Sequence, residues 1–340
     1  MRCSAEPGLE AMTLRGNPAG PRLGIDLGGT KIEGIVLGPT GERIASLRVA
    51  SPRASYNGTI SALADMTAGL EQASGGHALP VGAGIPGSIS KRTGLVHNSN
   101  ATWLNGQNLV RDLAAALSPR QVAIANDANC FALSEATDGA GRNAKSVFGV
   151  ILGTGVGGGL VINGAIVDGP LGIAGEWGHN PLPWARVEDL PGHPCWCGRS
   201  GCMESWVSGP ALAADYARTT DKTADTQEIA ARAQSGDPEA LAALARHADR
   251  LARGLSHVVN IIDPDVIVLG GGLSGLTHLY GELPCLMRPH IFADGPIVDI
   301  RPPKWGDASG VRGAAWLTDP LSPRAALARG EGRGEGRQTK

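Results

Sequence analysis

The chain has 340 residues, enough for one large core or two, and a formal net charge of −2. That near-balance leaves no electrostatic footprint of a nucleic-acid or membrane binder, and no apolar run reaches the length of a bilayer-spanning helix. Its 50 glycines, about twice the usual share, cluster beside apolar strands, where they serve tight turns and backbone brought close to a ligand.

Residues 1–21 are rich in glycine, proline and small polar residues and are expected to be disordered. They lack the apolar stretch of a secretory signal, so a cytoplasmic location is expected. Residues 23–27 then read as a strand, Gly28-Gly29 as a turn, and residues 31–37 as a second strand. Gly38-Pro39-Thr40-Gly41 is a strong turn before a third strand over 43–49. Ile60, Leu63, Met66 and Leu70 give residues 59–73 helical spacing. A strand over 81–85 ends in Pro86-Gly87, and a helix over 109–117, a strand over 122–125 and a helix over 128–136 follow.

A second cycle begins with a strand over 146–152, a glycine loop over 153–159 and a strand over 160–162. A long helix over 239–262, a strand over 266–269 and a Gly270-Gly271-Gly272 turn complete it. This repetition predicts an α/β protein of two lobes with a cleft between them, residues 22–140 and 141–312, closed by a helix over 313–320. Residues 321–340 have nothing to bury and are expected to be disordered.

The chemistry gathers at the glycines and at a few carboxylates. Asp26-Leu27-Gly28-Gly29-Thr30-Lys31 sits between two strands, where backbone N–H groups, Thr30 and Lys31 can approach phosphate oxygens and Asp26 can hold Mg²⁺ or its water. Gly153-Thr154-Gly155-Val156-Gly157-Gly158-Gly159 repeats the arrangement in the second lobe. Each loop alone reads equally as a hairpin turn, since no helix follows directly as in a Walker or Rossmann loop. Gly270-Gly271-Gly272 ends an apolar strand and can admit an adenine or ribose. Asn126-Asp127 stands where a strand gives way to a helix; Asp127 there suits a general base for a sugar hydroxyl, and either residue suits a plain helix cap. Glu176, His179 and Glu204, with Asn126 and Asp127, supply donors and acceptors for several ring hydroxyls.

Cys195-Trp196-Cys197 and Cys202 place three thiols in eight residues, with Gly198 and Gly201 allowing the tight turns of a chelating loop. A fourth ligand from His179, or second from His193, would make a filled Cys₃His set of the kind that holds structural zinc.

Together these segments resemble the ROK family of bacterial sugar kinases and sugar-sensing repressors, over about residues 23–316 and with every motif in the family's order. The segment Gly306-Asp307-Ala308-Ser309-Gly310-Val311-Arg312-Gly313 belongs to the same pattern. The resemblance implies a ribonuclease-H-like, actin/hexokinase-type fold with ATP and sugar in the interlobe cleft. It makes Asp127 the catalytic base, Asn126, Glu176, His179 and Glu204 sugar contacts, and Gly87 and Asn100 borders of the same pocket. It also makes His179, Cys195, Cys197 and Cys202 the zinc ligands and implies a homodimer.

Within the family, Gly84-Ile85-Pro86-Gly87 followed by Asn100-Ala101-Thr102-Trp103-Leu104-Asn105-Gly106-Gln107 looks most like fructokinases that also accept mannose. A Mg-ATP-dependent conversion of D-fructose to fructose 6-phosphate is therefore the expectation, with N-acetylglucosamine kinase or glucokinase as the alternative. The repressors of the family carry a DNA-binding domain ahead of this region. About 20 residues precede the first strand here, too few for three DNA-reading helices, so no nucleic-acid partner is expected.

Overall fold

The computed structural model describes residues 20–118 and 120–318. The disorder expected for residues 1–19 and 321–340, and the last two residues of the expected closing helix, lie outside them.

Three antiparallel strands open the chain: β1 (Arg22–Leu27), β2 (Lys31–Leu37) and β3 (Arg43–Ala50). Helix α1 (Tyr56–Ala73) follows, its first turn capped by Ser55, and buries Leu63, Met66 and Leu70 from the apolar stripe read in the sequence. Strand β4 (Val81–Ile85) pairs parallel to β1. A small hairpin of β5 (Ser88–Ile89) and β6 (Val96–His97), helix α2 (Leu109–Ala116) and strand β7 (Val122–Asn126) complete the first sheet, in the order β3-β2-β1-β4-β7.

Helix α3 (Asp127–Thr137) leads into the second sheet, and the same plan repeats. Strands β8 (Ser146–Leu152), β9 (Val156–Ile162) and β10 (Ala165–Ile166) run antiparallel. Helices α4 (Glu204–Val207), α5 (Gly209–Thr220), α6 (Thr226–Gln234) and α7 (Pro238–Ile262) precede β11 (Val266–Gly270), α8 (His278–Met287) and β12 (Ile300–Arg301). The order β10-β9-β8-β11-β12 matches the first sheet position by position, with β8, β11 and β12 parallel. Two such sheets in one chain are the two-lobed ribonuclease-H-like, actin/hexokinase-type architecture. No helix of the described residues is long and apolar enough to cross a membrane.

One expectation needs correction. The glycine loop shrinks to a tight turn at Gly153-Thr154-Gly155, and Gly157, Gly158 and Gly159 belong to β9. Their missing side chains serve packing: a Cβ on Gly158 would lie 2.6 Å from the Trp177 ring, and one on Gly159 would lie 2.5 Å from the Ala128 carbonyl oxygen.

Each lobe has its own apolar core, and a third cluster joins them through α3 and the last helix, α9 (Ser309–Trp316). Helix α9 returns to the first lobe and lies almost on the backbone of its neighbours. A Cβ on Gly24 of β1 would come within 2.3 Å of the Val311 carbonyl oxygen, and one on Gly313 within 1.7 Å of that of Cys130. The closing helix therefore begins at Ser309 instead of residue 313.

Candidate active site

A cavity of about 1020 Å³ opens between the lobes. From the first lobe Gly87, Asn98, Asn100, Asn126 and Asp127 line it; from the second come Gly153, Thr154, Gly155, Gly157, Glu176, His179 and Glu204.

Asn126 settles which residue caps α3. Its side-chain oxygen accepts from the backbone N–H of Ala128 at 2.9 Å and of Asn129 at 3.1 Å, and its Nδ2 donates to the Gly87 carbonyl at 3.3 Å. With that role taken, Asp127 occupies the first helical turn, where the positive end of the helix dipole favours an anion. Its Oδ1 accepts from Ala128 N at 2.7 Å. The carboxyl is open to water on the cleft side, yet protein crowds it elsewhere, and that partial loss of hydration pushes it up to about 6. The Ala128 hydrogen bond opposes the rise, and the charge of Glu176 adds to it.

Gly87 holds φ at +82°, and a Cβ there would meet the His97 carbonyl oxygen at 2.6 Å. Only glycine fits both the angle and the space. Glu176 precedes a short 3-10 turn, Trp177–His179, anchored by the Trp177 indole donating to the Gly157 carbonyl at 3.0 Å. Its carboxyl is raised mainly by burial, eased by His179 and His97 and raised again by Glu204. Glu204 holds two segments at once: Oε2 accepts from Val156 N at 3.0 Å and Oε1 from the Trp196 indole at 2.6 Å. It thereby ties the Gly153–Gly155 turn to the cysteine loop.

The remaining glycine clusters lie outside the lining of this cavity. Gly28, Gly29, Thr30 and Lys31 form the β1–β2 turn, closed by Gly28 N donating to the Lys31 carbonyl at 2.9 Å. Asp26 sits below that turn, pushed up to about 7 by burial first and by the charge of Asp127 second. Gly270 packs on the Phe131 ring and Gly271 holds φ at +77° against the Leu152 backbone, while Gly272 meets open space.

His179, Cys195, Cys197 and Cys202 come together with all four donor atoms within 4.8 Å of one another. The Cys195 sulfur lies 3.6 Å from His179 Nδ1, and the sulfurs of Cys197 and Cys202 are 3.6 Å apart. Tetrahedral zinc with sulfur at about 2.3 Å sets neighbouring donors roughly 3.5–3.8 Å apart, so the set fits. His193 faces elsewhere, with Nε2 2.9 Å from Arg218 and its ring against Trp206. A buried ion network fixes the approach to this loop: Asp189 accepts from Arg250 at 3.1 Å and from Arg253 at 2.9 Å, both on α7.

Sequence reasoning missed Asn98, Trp196 and Arg199, which also line the cavity. Asn98 had a signal, since it adopts φ of +55° in a turn, a conformation asparagine tolerates. Trp196 and Arg199 enter only because the cysteine loop folds over the cleft.

A family model described as the ROK family matches residues 22–320. N-acetyl-D-glucosamine kinase of Yersinia enterocolitica is 41% identical over 298 residues, covering 86% of this chain and 98% of that protein. The enzyme of the same name from Haemophilus influenzae is 36% identical, with the same two coverages. Among solved structures, the ROK hexokinase of Thermus thermophilus superposes with a TM-score of 0.78 at 30% identity, over 92% of this chain and all of that one. A ROK glucokinase from Streptomyces griseus, in complex with glucose and AMPPNP, gives 0.72 at 28%, over 88% and 99%. The chain therefore belongs to the ROK family.

Proposed function

We propose that this ROK-family sugar kinase transfers the γ-phosphoryl group of ATP to N-acetyl-D-glucosamine. The carrying observation is Asp127, a carboxylate that holds the helix start through one oxygen only and lines a cavity that both lobes share. The choice of sugar rests on relatives named N-acetyl-D-glucosamine kinase that match along 98% of their own length.

The relatives compared do not support the fructose expectation, and only part of the sequence that suggested it reaches the cavity. Of the residues that suggested it, Pro86, Gly87 and Asn100 line the cavity, whereas residues 103–107 do not. Trp103 donates to Thr59 of α1 at 3.1 Å, and Asn105 is bound to the backbone of Ser99. These residues hold a loop in place instead of reading a sugar.

Asp127 accepts the proton of the attacking hydroxyl as the oxygen approaches the γ-phosphorus in line. Asn126, Glu176 and His179 hold the ring by exchanging hydrogen bonds with its hydroxyls, so that one hydroxyl stands at Asp127. The Gly153–Gly155 turn lets backbone approach the phosphates, and Asp26 is the carboxylate beside Asp127 placed to hold the Mg²⁺ that accompanies ATP. The mutual repulsion of Asp26 and Asp127 is the kind a cation relieves. Zinc in the Cys₃His set would supply a structural cross-link, fixing the imidazole of His179 by Nδ1 and leaving Nε2 for the sugar.

Replacing Asp127 with Asn keeps the shape and removes the base. Turnover should fall by about 100-fold or more while sugar binding, followed by calorimetry, changes little. Turnover within a few-fold of the parent enzyme would remove Asp127 from this role.

A further inference from the structure

The cysteine loop stands between two cavities. Cys197 and Arg199 line the interlobe cavity, whereas His193, Pro194 and Cys195 line a second one of about 330 Å³, shared with Ser208, Ala211 and Arg218. Trp196, between the two cysteines, lines both, as do Thr154 and Glu204. Of those three it is the bulky, apolar one, so the indole forms most of the partition.

Trp196 is held in place although it is 65% exposed. Its Nε1 donates to Glu204 Oε1 at 2.6 Å, and it meets the His179 ring edge to face, with centroids 5.1 Å apart and planes at 84°. The turn beneath is fixed by Cys195 N donating to the Arg199 carbonyl at 2.8 Å and Gly198 N to the Cys195 carbonyl at 3.0 Å. A large aromatic surface kept in water on a well-held loop marks a place where a ligand packs. An indole face suits the C–H face of a sugar ring as well as a nucleobase, and the neighbours favour the sugar. His179 and Glu204 touch the indole, and Glu176 and Asn180 line the same cavity; all four offer hydrogen bonds to hydroxyls.

We propose that Trp196 is a specificity-determining residue of the sugar site. Its indole packs against the bound sugar and walls off the second cavity, which limits the size of sugar derivative the enzyme accepts. This rests on the sugar-kinase reading above and adds to it a boundary. Removing the wall joins the two spaces and makes room for a longer substituent.

The test compares the parent enzyme with Trp196→Phe and Trp196→Ala. Substrates are N-acetyl-D-glucosamine and derivatives lengthened by one to three carbons at the acyl group or at the anomeric oxygen, followed by ADP release. Alanine should raise KM for N-acetyl-D-glucosamine about 5- to 10-fold, the loss of an aromatic contact, with KM for ATP within about twofold of the parent. It should also raise kcat/KM of at least one lengthened series, relative to N-acetyl-D-glucosamine, by about tenfold or more. Phenylalanine keeps a wall without the Nε1–H and should keep the parent's preference for the short sugar; leucine serves where the alanine variant does not fold. An unchanged ranking of the lengthened sugars in the alanine variant would overturn the wall. So would a phenylalanine variant as permissive as alanine, which would trace the effect to the Glu204 hydrogen bond. A KM rise for ATP alone would assign the indole to the nucleotide and overturn the proposal while leaving the kinase reading standing. A parent enzyme that does not phosphorylate N-acetyl-D-glucosamine would overturn both.

Discussion

Asp127 shows how much a single neighbour decides. In sequence, Asn126 and Asp127 compete for the helix cap; in the fold Asn126 takes it with two backbone hydrogen bonds, and Asp127 faces the cleft. Burial first, and the charge of Glu176 after it, push the carboxyl up to about 6 against the opposing Ala128 hydrogen bond. A general base acts as carboxylate, and the carboxylate fraction falls as pH drops through that value. kcat/KM for the sugar should therefore be flat above about 6 and fall about tenfold per pH unit below it. A limb with its midpoint near 4, an ordinary aspartate, would contradict the environment described for Asp127. Glu204, expected as a sugar contact, lines the cavity and also joins two loops, its oxygens accepting from Val156 and Trp196.

Among the elements, the glycines were the most ambiguous letters. Gly153 and Gly155 form a turn at the cleft, whereas Gly158 and Gly159 let β9 lie against Trp177 and α3; composition is the same, and only the tertiary neighbour separates the two uses. The same reasoning applies to α9. Gly313→Ala gains a little intrinsic helix propensity, about 1 kcal/mol, but drives a methyl into the Cys130 carbonyl. The net loss of stability by urea unfolding should be about 2–3 kcal/mol, and an unchanged midpoint would mean that α3 and α9 pack more loosely than described. The cysteine loop was legible because ligand spacing is a local signal. Its fourth partner was legible as a ranking, His179 before His193, and the fold bears that order out, since Arg218 and Trp206 claim the latter. Metal analysis should find close to one zinc per chain in the parent protein and far less in Cys202→Ser, with sugar affinity weakened through His179 and ATP affinity largely kept. Zinc retained by that variant at the parent level would exclude the Cys₃His set as its site.

At the scale of the molecule, the repeated strand order was legible in outline because each half begins with apolar strands broken by glycine turns. Long-range closure was not. Nothing local announces that α3 and α9 join both sheets through one apolar cluster, or that the β5–β6 hairpin reaches the other lobe through Lys91 and Asp168. Residues 209–234 also escaped reading, since α5 and α6 bury few apolar side chains, chiefly Leu212, Tyr216 and Ile229. The sugar was the least legible feature, because hydroxyl and acylamino discrimination depends on pocket shape, and Trp103 and Asn105 of the segment read for it bond within the first lobe. The most direct test of the whole account is a coupled ADP-release assay giving kcat/KM for N-acetyl-D-glucosamine, fructose, mannose and glucose with Mg-ATP. The account predicts N-acetyl-D-glucosamine ahead of the other three by tenfold or more; fructose ahead of it would contradict the proposed substrate.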